Sequence, residues 1–171
     1  MIYEDVAYHN AVFVGYDLDG VPRHAHKRGT YTKGEPFKGN VDGCDPRYSF
    51  HWIGKSDMVY VFEAPIDLLS FISLYQKGWR MHSYVALCGV AEHALLQLLS
   101  DASQVKRIAL CLDNDKAGIQ ARERIKQSLA ERGYRDVFPL FSQQKDWNED
   151  LQALTKPPPK QEEQGFAMRM D

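Results

Sequence analysis

Short apolar runs alternate with helical repeats of apolar side chains from residue 56 onward. Four runs are long enough for buried strands and too short for helices. They cover residues 58–62, 84–87, 108–112 and 137–141. The helices predicted after them run from Pro65 to about Gly78, over 91–99, from Ala117 to about Arg132 and over 145–154. This alternation predicts an α/β fold, with right-handed crossovers and a mostly parallel sheet covered by helices on both faces.

The first 55 residues have a different pattern. Residues 11–16 and 21–27 read as two strands of a hairpin, joined by the turn Asp-Leu-Asp-Gly. Residues 1–10 have no clear period, and residues 28–47, rich in Gly, Lys, Pro and Asp, are predicted to be loops. We therefore predict a small β-rich N-terminal subdomain over 1–55 and an α/β domain over 56–155. The proline-rich, charged composition after residue 155 predicts a disordered tail over 156–171.

Composition narrows the functional classes. The chain has 171 residues, 44% of them hydrophobic, which suits a domain with an ordinary core and a small appendage. The net charge of −2 gives no global positive field, so nucleic-acid binding would need a local patch or a bound cation. No apolar stretch reaches the length of a membrane span, and the N-terminus does not resemble a signal peptide. Three cysteines without a Cys-x-x-Cys pair suit a reducing compartment, so we expect a cytoplasmic protein without a membrane partner.

Acidic side chains follow three of the four predicted strands. The first strand is followed by Glu63 and Asp67, the third by Asp113 and Asp115, and the fourth by Asp146, Asn148, Glu149 and Asp150. Because parallel strands end at the same edge of a sheet, we expect these groups to meet there. Carboxylates so close together repel one another unless a cation lies among them. Hard cations prefer oxygen ligands, so the cluster predicts Mg²⁺ or Mn²⁺ rather than zinc.

Each acidic group also has a simpler explanation. Asn114 or Asp115 could cap the helix that follows, the third group could be the acidic first turn of a helix, and Glu63 could be a surface residue. Capping requires only one residue, however, and Asp113 would keep a charge that is costly to bury unpaired. The coincidence of all three groups favours the metal site.

Basic side chains are concentrated in the N-terminal part and beside the acidic groups. The candidate phosphate-binding residues are Arg23, Lys27, Arg28, Lys38, Lys116 and Lys145. Such residues can position a nucleic-acid backbone. For any single one, a solvated surface charge is the alternative.

Histidine and aromatic residues offer weaker signals. His24 and His26 share one face of a predicted strand, and Cys44 and His51 are candidates to complete a zinc site with them. Their spacing fits no familiar zinc motif, which favours hydrogen-bonded surface histidines. Trp147 could stack on a base, although packing against the sheet is the commoner role for such a residue.

Three motifs resemble those of the Toprim domain, which is shared by bacterial DNA primases, type IA and type II topoisomerases and certain nucleases. They are Val-Phe-Glu-Ala-Pro-Ile-Asp, Leu-Asp-Asn-Asp-Lys-Ala-Gly and Lys-Asp-Trp-Asn-Glu-Asp. Their residues are most similar to the motifs of the primase-like branch. The N-terminal part is similar to the subdomain that precedes Toprim in primases. It also resembles a domain of unknown function fused to Toprim in proteins of plasmids and conjugative elements.

The resemblance implies Mg²⁺-dependent nucleotidyl or phosphoryl transfer on nucleic acid, of primase type, in a mobile-element protein. It implies that Glu63 acts as general acid or base, with Asp113 and Asp115 as the main metal ligands. Accessory ligands would be Asp67 and Asp146, while Asn148 occupies a candidate ligand position where a primase often has Asp. Implied partners are DNA or RNA, nucleoside triphosphates and replication or mobilisation proteins. The alternatives are a Toprim-type nuclease and a non-catalytic nucleic-acid or partner-binding module of a larger mobilisation protein.

Overall fold

The structure, a computed structural model, describes residues 1–31, 37–89 and 91–155. Its strands are β1 Ile2–Asp5, β2 Asn10–Tyr16, β3 Pro22–Arg28, β4 Lys38–Asn40, β5 His51–Trp52, β6 Met58–Phe62, β7 Ser83–Ala86, β8 Arg107–Leu110 and β9 Asp136–Pro139. Its α-helices are α1 Pro65–Leu74, α2 His93–Asp101, α3 Lys116–Glu131 and α4 Trp147–Thr155. Single 3₁₀ turns occupy Pro46–Tyr48 and Trp79–Met81. The predicted disordered tail, 156–171, lies outside the described residues.

The second half of the chain builds a five-stranded sheet in the order β5-β7-β6-β8-β9. β6 to β9 pair in parallel, and the short β5 runs antiparallel along the β7 edge. We call this the parallel sheet. The predicted α/β fold with a mostly parallel sheet is confirmed.

Helices cover both faces of the parallel sheet because successive strand side chains point to opposite sides. On one face, α2 and α3 pack against the strands, with Leu95 and Ile125 fully buried beside Val59 and Val61. On the other face, α1 and α4 pack around Phe62. Trp147 begins α4 in this second core and donates its indole N–H to the Cys111 carbonyl at 3.0 Å. It therefore has the packing role rather than an exposed stacking role.

The N-terminal residues form a four-stranded antiparallel sheet in the order β1-β2-β3-β4. We call this the N-terminal sheet, and it packs on the helix-covered parallel sheet through Phe13 and Phe50, whose ring centroids are 5.4 Å apart. The predicted loop over 28–47 is wrong in part, because it contains β4, and residues 1–10, which have no clear period, contain β1. Both are edge strands held by backbone pairing, and neither has a buried residue to produce an alternating pattern. The division into 1–55 and 56–155 stays a prediction.

Within the described ranges, none of the helices combines the length and apolar character needed to cross a membrane.

Candidate active site

A cleft of about 340 Å³ lies between the two sheets, at the carboxyl edge of the parallel sheet. One wall is acidic and carries Glu63, Asp67, Asp113 and Asp146. The facing residues come from the N-terminal sheet and are His26, Arg28, Lys38 and Asn40. Lys145 and Asn148 line the cleft beside the acidic wall. The fold thus brings most of the sequence-predicted site residues to one place.

Glu63 directly follows β6 and is half-buried in the acidic wall. Its Oε2 atom is buried without a hydrogen-bond partner. Burial, followed by the charges of Asp113 and Asp115, raises the pKa of Glu63 to about 7. This carboxyl group can therefore exchange a proton near neutral pH.

Asp113 follows β8 after a short extended segment and faces the same cleft. Its Oδ1 atom is buried and accepts no hydrogen bond. Burial, followed by the charges of Asp146 and Asp115, raises the pKa of Asp113 to about 6, against the opposing effect of Lys145 and Lys38. A buried carboxylate without a donor is costly, so this atom is suited to bind a cation.

Asp115 has a different role from Asp113. It is the N-cap of α3, and its Oδ1 accepts a hydrogen bond from Gly118 N–H at 2.9 Å. It does not belong to the lining of the cleft, although its charge contributes to the raised pKa of Glu63. The simpler explanation of a helix cap therefore accounts for one oxygen of Asp115 and leaves Asp113 unexplained, as the sequence indicated.

Asp67 and Asn148 link α1 to the start of α4. The Asp67 side chain is only 4% exposed, and its Oδ1 accepts a hydrogen bond from Asn148 N–H at 3.1 Å. Burial, followed by the charges of Asp146 and Asp113, raises the pKa of Asp67 to about 7. Asn148 Oδ1 in turn accepts from the Ser70 hydroxyl at 3.4 Å.

The third acidic group, residues 146–150, accepts hydrogen bonds mainly from the backbone of its own loop and helix start. Asp146 Oδ1 accepts from Glu149 N–H at 2.7 Å, as an N-cap would, and still lines the cleft. Asp150 accepts from Gln143 N–H and Gln144 N–H at 2.9 and 2.7 Å. Both Glu149 and Asp150 lie outside the lining of the cleft. Of this group, Asp146 and Asn148 remain site candidates.

The oxygen atoms of the cleft suit a metal ion that takes part of its coordination shell from elsewhere. Among the residues that the structure describes, no three His, Cys, Asp or Glu side chains converge closely enough to hold an ion alone. Mg²⁺ is commonly bound by one or two carboxylates, with waters and substrate phosphates completing its shell. The two buried, unpartnered oxygens Glu63 Oε2 and Asp113 Oδ1 fit that mode of binding. The residues present therefore suit an ion that arrives with phosphate rather than a closed protein cage.

The basic candidates divide into two groups. Arg28, Lys38 and Lys145 line the cleft. Arg23 pairs with Asp17 at 2.7 Å and Lys27 with Asp5 at 2.8 Å, both away from the cleft. Lys116 begins α3 but does not line the cleft either. Arg28 and Lys38 are direct partners in the β3–β4 register, which fixes them as a pair opposite the acidic wall.

Sequence reasoning missed His26 and Asn40 as part of the site. His26 is buried and its Nδ1 lies 2.8 Å from Asn40 Oδ1, so the expectation of a surface histidine is wrong. His24 is also buried, and neither of its ring nitrogens has a partner. The alternation of β3 could have placed His26 beside Arg28, but only the packing of the two sheets brings that face to the acidic wall.

Arg122 supports the turn that carries Asp113. Its buried guanidinium donates to the carbonyls of Leu112 and Asp113 at 2.8 and 3.1 Å. The same group lies 4.6 Å from the ring centroid of Phe141. These contacts hold the Asp113 backbone in place, and no motif in the sequence predicts this role for Arg122.

Gly118 allows the Asp113 turn to pack on the first turn of α3. A Cβ atom at Gly118 would lie 2.2 Å from the Asp113 carbonyl oxygen. We expect Gly118→Ala to destabilise the protein by about 1–3 kcal/mol, although Ala normally stabilises a helix relative to Gly. Denaturant unfolding measures the change, with Gly39→Ala as the control because its Cβ would meet nothing closer than 3.6 Å. Equal stability of Gly118→Ala and the unmodified chain would contradict the close packing.

Comparison with protein families gives two matches. Residues 60–151, more than half of the 171-residue chain, match a family model described as Toprim-like. Residues 1–56 match a second model, described as a protein of unknown function, DUF3991. Relatives include uncharacterized proteins of Mycoplasma pneumoniae and Mycoplasma genitalium, each 30% identical over 59% and 56% of this chain. The alignments cover only 46% and 42% of those relatives, so this chain spans less than half of their length.

Solved structures of primases share the fold. The primase fragment of the bacteriophage T7 primase-helicase protein gives a TM-score of 0.65 at 21% identity, covering 86% of this chain and 60% of that chain. The Aquifex aeolicus primase, comprising zinc-binding and RNA polymerase domains, gives 0.62 at 19% identity, covering 89% and 40%. A DNA primase domain from Pseudomonas aeruginosa gives 0.59 at 18% identity, covering 89% and 52%. The resemblance to the primase-like Toprim fold is therefore confirmed.

Proposed function

Because this chain belongs to the Toprim-like family, we propose that it catalyses Mg²⁺-dependent nucleotidyl or phosphoryl transfer on nucleic acid, in the manner of a primase. One observation carries the proposal: two buried, unpartnered carboxylate oxygens, on Glu63 and Asp113, line the same cleft as the facing cations Arg28 and Lys38. Arg and Lys side chains bind the negative charge of phosphates. Carboxylates bind the Mg²⁺ that accompanies those phosphates. Mn²⁺ could replace Mg²⁺ at such a site.

The metal would be held by Asp113 and by the unpartnered Oε2 of Glu63, with Asp67, Asp146 and Asn148 as accessory groups. Asp115, a main ligand by the family resemblance, lies outside the lining of the cleft and would act through the oxygen that does not cap α3. When bound, the ion would neutralise charge on the transferring phosphoryl group and make the attacking oxygen more acidic. The cap role of Asp115 leaves Asp113 as the principal ligand of this pair.

Glu63 is the proposed proton acceptor. Its pKa of about 7 lies at neutral pH, and a general base is most effective when its pKa lies near the pH of the reaction. Once protonated, Glu63 would act as a general acid and donate the proton to a leaving group. Asp67, buried at the base of the same wall, keeps α1 and the start of α4 in register through Asn148.

Arg28 and Lys38 are the proposed phosphate-binding pair. Lys145 is a third proposed phosphate-binding residue, beside the acidic wall. The adjacency of the pair across β3 and β4 would orient a strand or a triphosphate without reading its sequence. Primase domains of similar fold, 20% identical to this chain, are described as bound to an RNA/DNA hybrid and dTTP. Nucleic acid and nucleoside triphosphates are therefore the substrates to test.

We also propose the cytoplasm as the compartment, supported by three free cysteines. The likeness of the N-terminal part to a domain of plasmid and conjugative-element proteins supports a mobile-element context, with replication or mobilisation proteins as partners. The relatives are more than twice as long as the matched region, which leaves room for further modules in such proteins.

The test combines end-labelled single-stranded DNA or RNA with the full chain, Mg²⁺ or Mn²⁺, and nucleotides. We expect lengthening of the labelled strand, or incorporation of a labelled nucleotide into new short strands, only when metal and nucleoside triphosphates are both present. Shortening of the labelled strand without nucleotides would instead identify a nuclease. Binding that persists in EDTA with no turnover under any condition would overturn the catalytic proposal and leave a binding module.

A further inference from the structure

A second cavity, of about 390 Å³, lies on the N-terminal sheet outside the acidic cleft. It is lined by Tyr8, Tyr31 and Phe37, together with Asp5, Asn10 and Lys27. We call it the aromatic pocket. We propose that it binds one unstacked base of the nucleic-acid strand whose phosphates lie on Arg28 and Lys38. The inference rests on the proposed function, because it concerns the same strand.

The aromatic side chains of this pocket are unusually exposed. Tyr8, Tyr31 and Phe37 are 69%, 71% and 58% exposed. Three large rings around one concavity form an apolar patch of the kind that marks a binding site. Every base has a π face, so aromatic rings bind bases with little dependence on sequence.

The polar side of the pocket is held in a fixed arrangement. The Asp5 carboxylate accepts hydrogen bonds from Lys27 Nζ at 2.8 Å and from Ala7 N–H at 3.2 Å, and its pKa is lowered by these groups and by the Asn10 side chain. Asn10 is almost fully buried. An ammonium and an amide beside aromatic rings can hydrogen-bond the edge of a base while the rings contact its face.

The pocket lies beside the phosphate-binding pair, on the other face of the β3–β4 edge. Arg28 and Lys38 line the cleft, and their chain neighbours Lys27 and Phe37 line the aromatic pocket. Side chains alternate across a strand, so Arg28 and Lys38 lie on one face of the N-terminal sheet and the Phe37 ring lies on the other. Both faces belong to the same end of the β3–β4 pair. Gly29 N–H donates to the Phe37 carbonyl at 2.7 Å, which closes the ladder at this end.

β4 is the edge strand of the N-terminal sheet. A single strand leaving the cleft can therefore pass over this edge, with its phosphates on Arg28 and Lys38 and a neighbouring base in the aromatic pocket. Surfaces that bind single strands combine a cationic track with stacking rings in this way. This adjacency of cations and rings at one sheet edge favours a nucleic acid over a protein side chain as the occupant.

The experiment measures binding of the full chain to a single-stranded oligonucleotide that carries the fluorescent base 2-aminopurine. We expect quenching of the base on binding, and a loss of affinity of roughly tenfold to a hundredfold in Tyr8→Ala and in Tyr31→Ala. Tyr31→Phe should keep both affinity and quenching, because it keeps the ring. Leu18→Ala is the matched control, since Leu18 is 70% exposed in the turn between β2 and β3 and lines neither pocket.

Salt dependence separates the aromatic contribution from the phosphate contribution. Lys38→Gln should lower the salt slope of binding by about one unit, whereas Tyr31→Ala should leave the slope unchanged. If the unmodified chain binds the oligonucleotide but both alanine variants bind it equally well, the base pocket is overturned and the proposed function stands. If the unmodified chain binds no oligonucleotide at all, both are overturned.

Discussion

Asp113→Asn is expected to lower metal-dependent turnover by about 1,000-fold, because several kcal/mol of charge stabilisation are lost and each 1.36 kcal/mol is tenfold in rate. The buried Oδ1 of Asp113 has no protein donor, so its proposed partner is the metal ion. An amide of the same shape keeps the packing and removes the charge. Glu63→Gln should have a comparable effect, because it removes the group whose pKa lies at about 7. Initial rates at saturating Mg²⁺ measure both changes.

Two substitutions of the same kind serve as controls. Asp136 lies at the start of β9, at the opposite end of the sheet, in an exposed pair with Arg107 at 3.1 Å. Asp136→Asn should leave turnover unchanged, as should Glu131→Gln at the exposed end of α3. Undiminished turnover in both Asp113→Asn and Glu63→Gln would overturn the assignment of the acidic wall.

Calorimetric titration gives a readout that does not depend on turnover. Mg²⁺ or Mn²⁺ should bind the unmodified chain and fail to bind Asp113→Asn. Because Mg²⁺ often relies on phosphate ligands, the titration is repeated with a nucleoside triphosphate present. Metal binding that is equal in the two proteins under both conditions would assign the ion to other residues.

The parallel sheet could be predicted from sequence because its strands are buried on both faces. Residues 58–62 and 108–112 are continuous apolar runs, and such runs have few alternatives when helical repeats follow them. The acidic wall could be predicted for the same reason, since Glu63 and Asp113 both follow strands that run parallel side by side. Local pattern and topology sufficed for that half of the site.

The facing wall depended on long-range contacts that leave no local pattern. β4 spans three residues, none of them buried, and its pairing with β3 comes from backbone hydrogen bonds. His26 enters the cleft only because Phe13 and Phe50 fix one sheet on the other. Likewise, spacing alone could not say whether Asn114 or Asp115 would cap α3.

The acidic wall also has a cost in stability that depends on pH. Glu63, Asp67 and Asp113 all have raised pKa values, of about 7, 7 and 6. Between about pH 4 and pH 7 the folded chain therefore binds more protons at these groups than the unfolded chain does. The free energy of unfolding therefore falls as the pH rises. The three carboxyl groups do not destabilise the folded chain below about pH 4, and their destabilising effect is complete above about pH 7.

Asp67 is the sharpest place to measure this effect, because it is nearly fully buried. Its pKa rises to about 7, roughly three units above its ordinary value, so Asp67→Asn should raise the free energy of unfolding at pH 8 by about 4 kcal/mol. At pH 4 the two proteins should be nearly equally stable, since the carboxyl group is protonated and neutral there. The asparagine Oδ1 can still accept the hydrogen bond from Asn148 N–H.

The measurement is denaturant unfolding of Asp67→Asn and the unmodified chain at both pH values. Buried His24 and His26, whose pKa values are lowered by burial, make stability rise with pH over part of the same range. Taking the difference between the two proteins at each pH removes this histidine contribution, and Asp136→Asn shows the effect of an exposed carboxylate. Excess Mg²⁺ at pH 8 should narrow the difference, because an ion bound to the folded chain offsets the repulsion that Asn removes. A stabilisation that is the same at pH 4 and pH 8 would mean that Asp67 is not protonated in the folded acidic wall, and that its charge is already compensated without a metal.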